Sequence, residues 1–173
     1  MTLLKLKKIS KNLVYTVLIA IIIALVAIQF LFFKTKVPTP SMDPTIKVGD
    51  NIFVTRIYNF NNIKRGDILV FNSSELKERL IKRVIGLPGE TVKVKNDGTV
   101  LINDKELQEP YVKHPGGKSG IFKVPEGEYF FMGDNRADSN DGRYWNYSYI
   151  PAKDINGKAQ IIVFPFSRVS FLK

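Results

Sequence analysis

Arg79-Leu80-Ile81-Lys82-Arg83-Val84-Ile85-Gly86, then Leu87-Pro88-Gly89-Glu90, then Thr91-Val92-Lys93-Val94-Lys95, reads as a strand, a turn and a second strand. Proline followed by glycine suits the central positions of a type II turn. The third group alternates apolar and charged residues, which leaves one face of that strand solvated. Asn96-Asp97-Gly98 turns the chain into Thr99-Val100-Leu101-Ile102, a hairpin whose glycine and asparagine tolerate positive φ.

The same pattern extends in both directions. Downstream lie a Pro/Gly-rich loop over residues 105–120, a buried strand at Tyr129-Phe130-Phe131-Met132, and a last long strand from Gly157 to Phe166. Upstream, Val48-Gly49-Asp50-Asn51-Ile52-Phe53-Val54 opens a strand after a Gly-Asp turn. Lys64-Arg65-Gly66-Asp67 is a turn leading into Ile68-Leu69-Val70-Phe71, whose continuous apolar character predicts burial on both faces. Ser73 to Glu78 is a polar connection or a single helical turn. With short β-like runs, little helical periodicity and no repeats, the expected fold is mostly β, antiparallel sheets carried on one N-terminal membrane helix.

Leu13 to Phe33 is 21 residues without a charge, interrupted only by Tyr15, Thr16 and Gln29. At 1.5 Å per residue such a run crosses a hydrocarbon core of about 30 Å. A cleavable leader has a shorter apolar part followed by a small-x-small site, so an uncleaved anchor is expected. Lys5, Lys7, Lys8 and Lys11 precede the run, against Lys34 and Lys36 after it. That asymmetry places residues 1–12 in the cytoplasm, residues 13–33 in the cell membrane and residues 34–173 outside.

A chain of 173 residues has room for one domain with a core plus an anchor. Zero cysteines exclude disulfides, thiolate chemistry and sulfur-bound zinc, and one histidine, His114, excludes a histidine-rich metal site. His114 lies in a turn-prone His-Pro-Gly-Gly loop and is expected to be solvated. No cofactor or metal is called for. The net charge is +10, and past residue 33 it is +6, with basic residues interleaved among all sixteen acids. This distribution suits an anionic membrane surface better than nucleic acid, for which no motif is present.

Pro38-Thr39-Pro40-Ser41-Met42-Asp43-Pro44-Thr45 follows the anchor. Its three prolines exclude a helix interior or central strand and make a stiff segment that holds a serine hydroxyl at one angle. On these eight residues alone, a proline-kinked linker is an equal reading. A serine needs a base, and no histidine is placed to serve. Lysine remains, provided burial draws its pKa toward neutrality. Lys82 is the candidate, because Leu80 and Val84 flank it on the same strand face while Ile81 and Arg83 face the other way. The alternative is a lysine snorkelling from a strand edge.

PTPSMDPT at 38–45, GDNIFV at 49–54, LIKRVIGLPGE at 80–90 and GDNRADSNDGRYW at 133–145 together resemble, in order and spacing, the four motifs of type I signal peptidases of the single-anchor Gram-positive kind. The resemblance implies a serine endopeptidase, with Ser41 as nucleophile and Lys82 as general base. It implies the Ser41 N–H and the Thr39 hydroxyl as oxyanion donors, and Ser139 as the hydroxyl that orients the lysine amine. Asp134 with Arg83, and Asp141 with Arg143, resemble its supporting ion pairs, though each pair also fits a solvated surface. Met42, Ile46 and Ile81 resemble walls of shallow pockets that admit small residues at −1 and −3 of a secreted preprotein. The secretion translocon and membrane lipid are the further partners implied.

A small cap insertion at about 86–130 is expected from the short segment between Arg83 and Gly133. Gly142, Asn146 and Leu80 depart from the usual serine, glycine and tyrosine of the family. They leave room for a dedicated pilin or bacteriocin-precursor peptidase. A non-catalytic preprotein-binding paralogue would be expected to lack Ser41 or Lys82. A self-cleaving repressor-type protease shares the fold, but would need a DNA-binding domain where the anchor stands.

Overall fold

A computed structural model describes residues 2–172. Contacts divide the chain into two units, residues 1–33 and 34–173. The first unit holds one helix, α1 (Thr2–Leu31), and its stretch Leu13–Leu31 has a mean hydropathy of 2.7, long and apolar enough to cross a membrane. The helix ends two residues short of the expected boundary. Phe32 and Phe33 begin β1 (Phe32–Lys36) instead, because an apolar run read by hydropathy does not distinguish helix from the aromatic start of a strand.

The second unit holds the remaining strands: β2 (Asn51–Arg56), β3 (Ile68–Ser73), β4 (Glu78–Gly86), β5 (Thr91–Val94), β6 (Val100–Ile102), β7 (Lys105–Glu106), β8 (Gly120–Lys123), β9 (Glu128–Met132), β10 (Tyr149–Pro151), β11 (Ile155–Phe164) and β12 (Ser170–Phe171). Eight of the twelve form one sheet in the order β1-β2-β11-β3-β4-β9-β10, with β12 on β11; the others form a second sheet in the order β7-β6-β5-β8. From β2 onward the pairings are antiparallel. The fold is therefore mostly antiparallel β.

The connection from Ser73 to Glu78 is a tight turn with Lys77 at φ 55 and Leu76 N–H donating to Ser73 Oγ at 3.1 Å, so β3 and β4 form a hairpin without a helical turn. In the hairpin after β5, only Gly98 takes positive φ; Asn96 and Asp97 do not.

Alternation along β9 sends side chains into two cores. Tyr129 and Phe131 join Leu69, Phe71, Val84, Trp145 and Ile150 on one face, with the Phe71 and Phe131 rings 4.3 Å apart. Phe130 and Met132 join Ile85 on the other, packed with Val92, Val94, Val100 and Ile102 of the second sheet. Truncating a fully buried phenylalanine such as Phe131 costs about 3–5 kcal/mol. β4 and β9 are thus packed on both faces.

Candidate active site

The segment after β1 cannot join the ladder, because its prolines lack N–H groups. It is tied down at both ends instead: Val37 N–H donates to Asp50 O and Gly49 N–H to Val37 O, both at 2.9 Å. Between them the chain folds into turns closed by Asp43 N–H to Pro40 O and Ile46 N–H to Met42 O, both at 2.9 Å. Asn135 braces the turn from outside, its N–H reaching Ser41 O at 3.1 Å and its Nδ2 reaching Pro40 O at 3.3 Å. Ser41 is buried, and its N–H makes no hydrogen bond among the described residues.

Lys82 lies on β4 opposite Leu69, between Leu80 and Val84 of the same apolar face, and is 3% exposed. Its Nζ stands 2.5 Å from Ser41 Oγ, and the Thr39 and Ser41 hydroxyls are 3.2 Å apart. Burial pushes the Lys82 pKa down from 10.5 to about 8; the carboxylates of Asp141, Glu78 and Asp134 pull it back up, while the Arg143 cation adds to the lowering. An amine with that pKa is neutral in a useful fraction of molecules near pH 7 to 8. In that form its lone pair is available to accept a proton from the hydroxyl 2.5 Å away.

Both expected ion pairs form in the interior. Arg83 Nε and Nη2 donate to Asp134 Oδ1 and Oδ2 at 2.8 and 2.7 Å. Arg143 grips Asp141 through Nε and Nη2 at 2.8 and 2.9 Å and also holds the carbonyls of Gly116 and Arg136. Asp141 Oδ2 accepts from Gly133 N–H at 3.0 Å, which fixes the end of β9 beside the serine turn. The solvated-surface reading of these pairs is excluded, since all four side chains are at most 3% exposed.

Three expected positions differ. Ser139 Oγ is buried and makes no hydrogen bond among the described residues, to Lys82 or to any other group. It lies beside Gly133, where an added Cβ would collide with both Ser139 Oγ and Ser41 O. Met42 and Ile46 are fully buried and line no part of the cleft at Ser41, because the tight turns rotate both inward. Ile81 does line it. His114 is exposed, as expected.

The departures have local causes. A Cβ on Gly142 would come within 2.7 Å of Ser148 O and 2.8 Å of the Phe130 ring, so a serine does not fit without movement. Asn146 is held at the β3–β4 turn, with its N–H and Nδ2 donating to Glu75 Oε1 at 3.1 and 3.0 Å. These bonds, together with one from Tyr147 N–H, hold the Glu75 carboxyl below its usual range. Leu80 packs against the apolar core and lines the cleft.

Sequence reading missed Thr45, Asn135, Glu109, Tyr111 and Arg136. Thr45, Asn135 and Arg136 sat inside quoted motifs without an assigned partner, whereas Glu109 and Tyr111 lie in an unpatterned loop that offered no signal.

A cleft of about 60 Å³ opens at the serine, lined by residues 35–39 and Ser41 on one side and by Val70 and Glu78 to Lys82 on the other. β9 pairs with β4 from Arg83 onward, and β1 ends the sheet. Among the described residues no cluster of His, Asp or Glu could hold a metal ion.

The family described as signal peptidase, peptidase S26, matches residues 10–164. Signal peptidase I P of Bacillus subtilis subsp. natto is 39% identical over 165 residues, 88% of this chain and 88% of that protein. Signal peptidase I of Bacillus licheniformis is 39% identical over 168 residues, 90% and 89% of the two chains. A crystal structure of a signal peptidase I from Enterococcus faecalis V583 matches with TM-score 0.49 and 34% identity, covering 56% of this chain and 96% of that one. A family match over residues 10–164, with relatives aligned at this identity over 88% or more of both chains, means that the chain belongs to the signal peptidase family, peptidase S26.

Proposed function

We propose that this protein is a membrane-anchored serine endopeptidase that removes signal peptides from secreted preproteins, with Ser41 as nucleophile and Lys82 as general base. The observation that carries the reading is the 2.5 Å approach of a buried amine, its pKa lowered to about 8, to a buried hydroxyl. Ser41 Oγ attacks the scissile carbonyl carbon while its proton passes to Lys82 Nζ. The oxyanion is held by the free Ser41 N–H and the Thr39 hydroxyl. Collapse breaks the C–N bond, and the Lys82 ammonium gives its proton to the departing amine. A water then loses its proton to Lys82 and opens the acyl-serine, which regenerates both groups. The Arg83–Asp134 and Asp141–Arg143 pairs hold the frame in which this occurs.

The substrate binds as an extended strand along the cleft lined by β1 and β4, where backbone bonds supply affinity. Val70, Leu80 and Ile81 wall a cleft of about 60 Å³, room for methyl-sized side chains, which suits alanine-like residues at −1 and −3. The stretch Leu13–Leu31 anchors the chain in the cell membrane. The lysine excess before it puts the N-terminus in the cytoplasm and the catalytic domain, residues 34–173, outside, where preproteins emerge from the translocon beside membrane lipid. The second sheet is the small cap.

The test is processing of a preprotein with alanine at −1 and −3 by the detergent-solubilised chain, with product N-termini sequenced. Cleavage after −1 by wild type, and its loss in Ser41→Ala, is expected; unchanged processing by Ser41→Ala overturns the reading.

A further inference from the structure

We propose that Thr45 and Tyr111 are positioning residues for the Ser41–Lys82 pair, acting through the buried Arg83–Asp134 ion pair; this rests on the reading of Ser41 as nucleophile and Lys82 as base. Lys82 and Arg83 are neighbours on β4 with opposite-facing side chains. Ser41 and Thr45 belong to one pair of hydrogen-bonded turns. Asp134 joins the two elements. One carboxylate takes two bonds from Arg83 and, at Oδ2, a third from Thr45 Oγ1 at 2.6 Å. The serine turn and the lysine strand, 41 residues apart at the reacting atoms, are thereby pinned to a common point directly behind them.

Tyr111 covers the far side of that point. Its ring centroid lies 3.9 Å from Arg83 Cζ, a cation–π distance, and Arg83 Nη1 donates to Gly66 O at 2.7 Å. The guanidinium therefore has its plane set by the ring as well as by its hydrogen bonds. The Tyr111 hydroxyl donates to Glu109 Oε1 at 2.8 Å, and Glu109 forms a two-pronged pair with Arg136 at 2.7 and 2.6 Å. Arg136 Nε in turn donates to Gly133 O at 3.0 Å. Polar contacts thus run from Thr45 through Asp134, Arg83, Tyr111, Glu109 and Arg136 back to Gly133, the residue before Asp134. Neither Thr45 nor Tyr111 lines the cleft, so any effect on turnover passes through the geometry of the catalytic pair.

The test measures kcat and KM for a peptide spanning an Ala-x-Ala cleavage site, using the detergent-solubilised full chain, with the folded fraction of each variant read from Trp145 fluorescence. Thr45→Val keeps the volume and deletes the donor. It is expected to lower kcat about 10- to 100-fold per folded molecule, the effect of a misplacement near 1 Å, with KM held within about twofold. Thr45→Ser, which restores the hydroxyl, is expected to recover most of that loss. Tyr111→Leu is expected to lower kcat in the same way, whereas Tyr111→Phe, which keeps the ring over Arg83, retains it.

An unchanged kcat per folded molecule in both Thr45→Val and Tyr111→Leu overturns the proposal, as does a loss that Thr45→Ser fails to recover. Should Thr45→Val not fold, an unchanged kcat in Tyr111→Leu, or a loss in Tyr111→Phe equal to that in Tyr111→Leu, overturns the proposal by itself. Activity in Ser41→Ala strikes at the nucleophile assignment instead, so the two failures are distinct.

Discussion

Lys82→Met keeps the length of the side chain and removes its titrating amine, and it is expected to stabilise the protein at neutral pH while abolishing activity. Burial lowers the Lys82 pKa from 10.5 to about 8 against the pull of nearby carboxylates. At ~1.4 kcal/mol per pH unit, that gap makes the charged, buried lysine about 3 kcal/mol unfavourable below pH 8. Losing the bond to Ser41 offsets about 1 kcal/mol, which leaves a net gain of roughly 2 kcal/mol, or about 6 °C in melting temperature for a domain of this size.

The sign changes with pH in a defined window. Between pH 8 and 10.5 the unfolded chain keeps a proton that the native lysine has released, so wild-type stability rises with pH and the advantage of methionine disappears. The single tryptophan, Trp145, is buried next to Phe71 with ring centroids 6.2 Å apart, and its fluorescence reports unfolding of the β-rich unit. Melts of both proteins at pH 7, 9 and 10.5 read the difference directly. A variant no more stable at pH 7, or one whose advantage persists undiminished to pH 10.5, refutes the claim that burial sets this pKa.

Activity should follow the same titration, kcat/KM rising about tenfold per pH unit below 8 and levelling above it; a profile flat from pH 6 to 10 would count against Lys82 as base. Thr39→Val removes the hydroxyl 3.2 Å from Ser41 Oγ and is expected to cost about 10- to 100-fold in kcat, with Thr39→Ser largely active, as measured by peptide turnover. Arg83→Gln leaves the fully buried Asp134 carboxylate without its cation, and thermal melts should show a loss of about 3–5 kcal/mol. Gly142→Ser restores the residue usual in the family but forces a Cβ against Ser148 O and Phe130. A destabilisation of about 1–3 kcal/mol is expected in the same melts.

Local pattern determined the apolar run, the strands β2, β3, β4, β5, β6, β9 and β11, and the turns at Pro88-Gly89 and Gly98. Each of these depends on a period, a backbone dihedral or a missing donor within a few residues. The motif constellation singled out Ser41, Lys82 and the two ion pairs, and the chain brings these together across 41 and 51 residues. Strands β1, β7, β8, β10 and β12 carried no such local signal. Their pairing comes from neighbours distant in the chain, as Phe122 opposite Val92 and Phe171 opposite Ile161 illustrate.

Whether a side chain lines the cleft or the core was likewise decided only in three dimensions. Met42 and Ile46 flank the serine turn in sequence yet point into the interior, and Ser139 stands beside Gly133 without a partner. Thr45 meets Asp134 across 89 residues, and Glu109 meets Arg136 from a loop without periodicity. Such contacts are made by whichever polar groups the packed sheets leave facing one another in a dry interior. The need to satisfy each of them is set by burial, and burial is a property of the assembled fold.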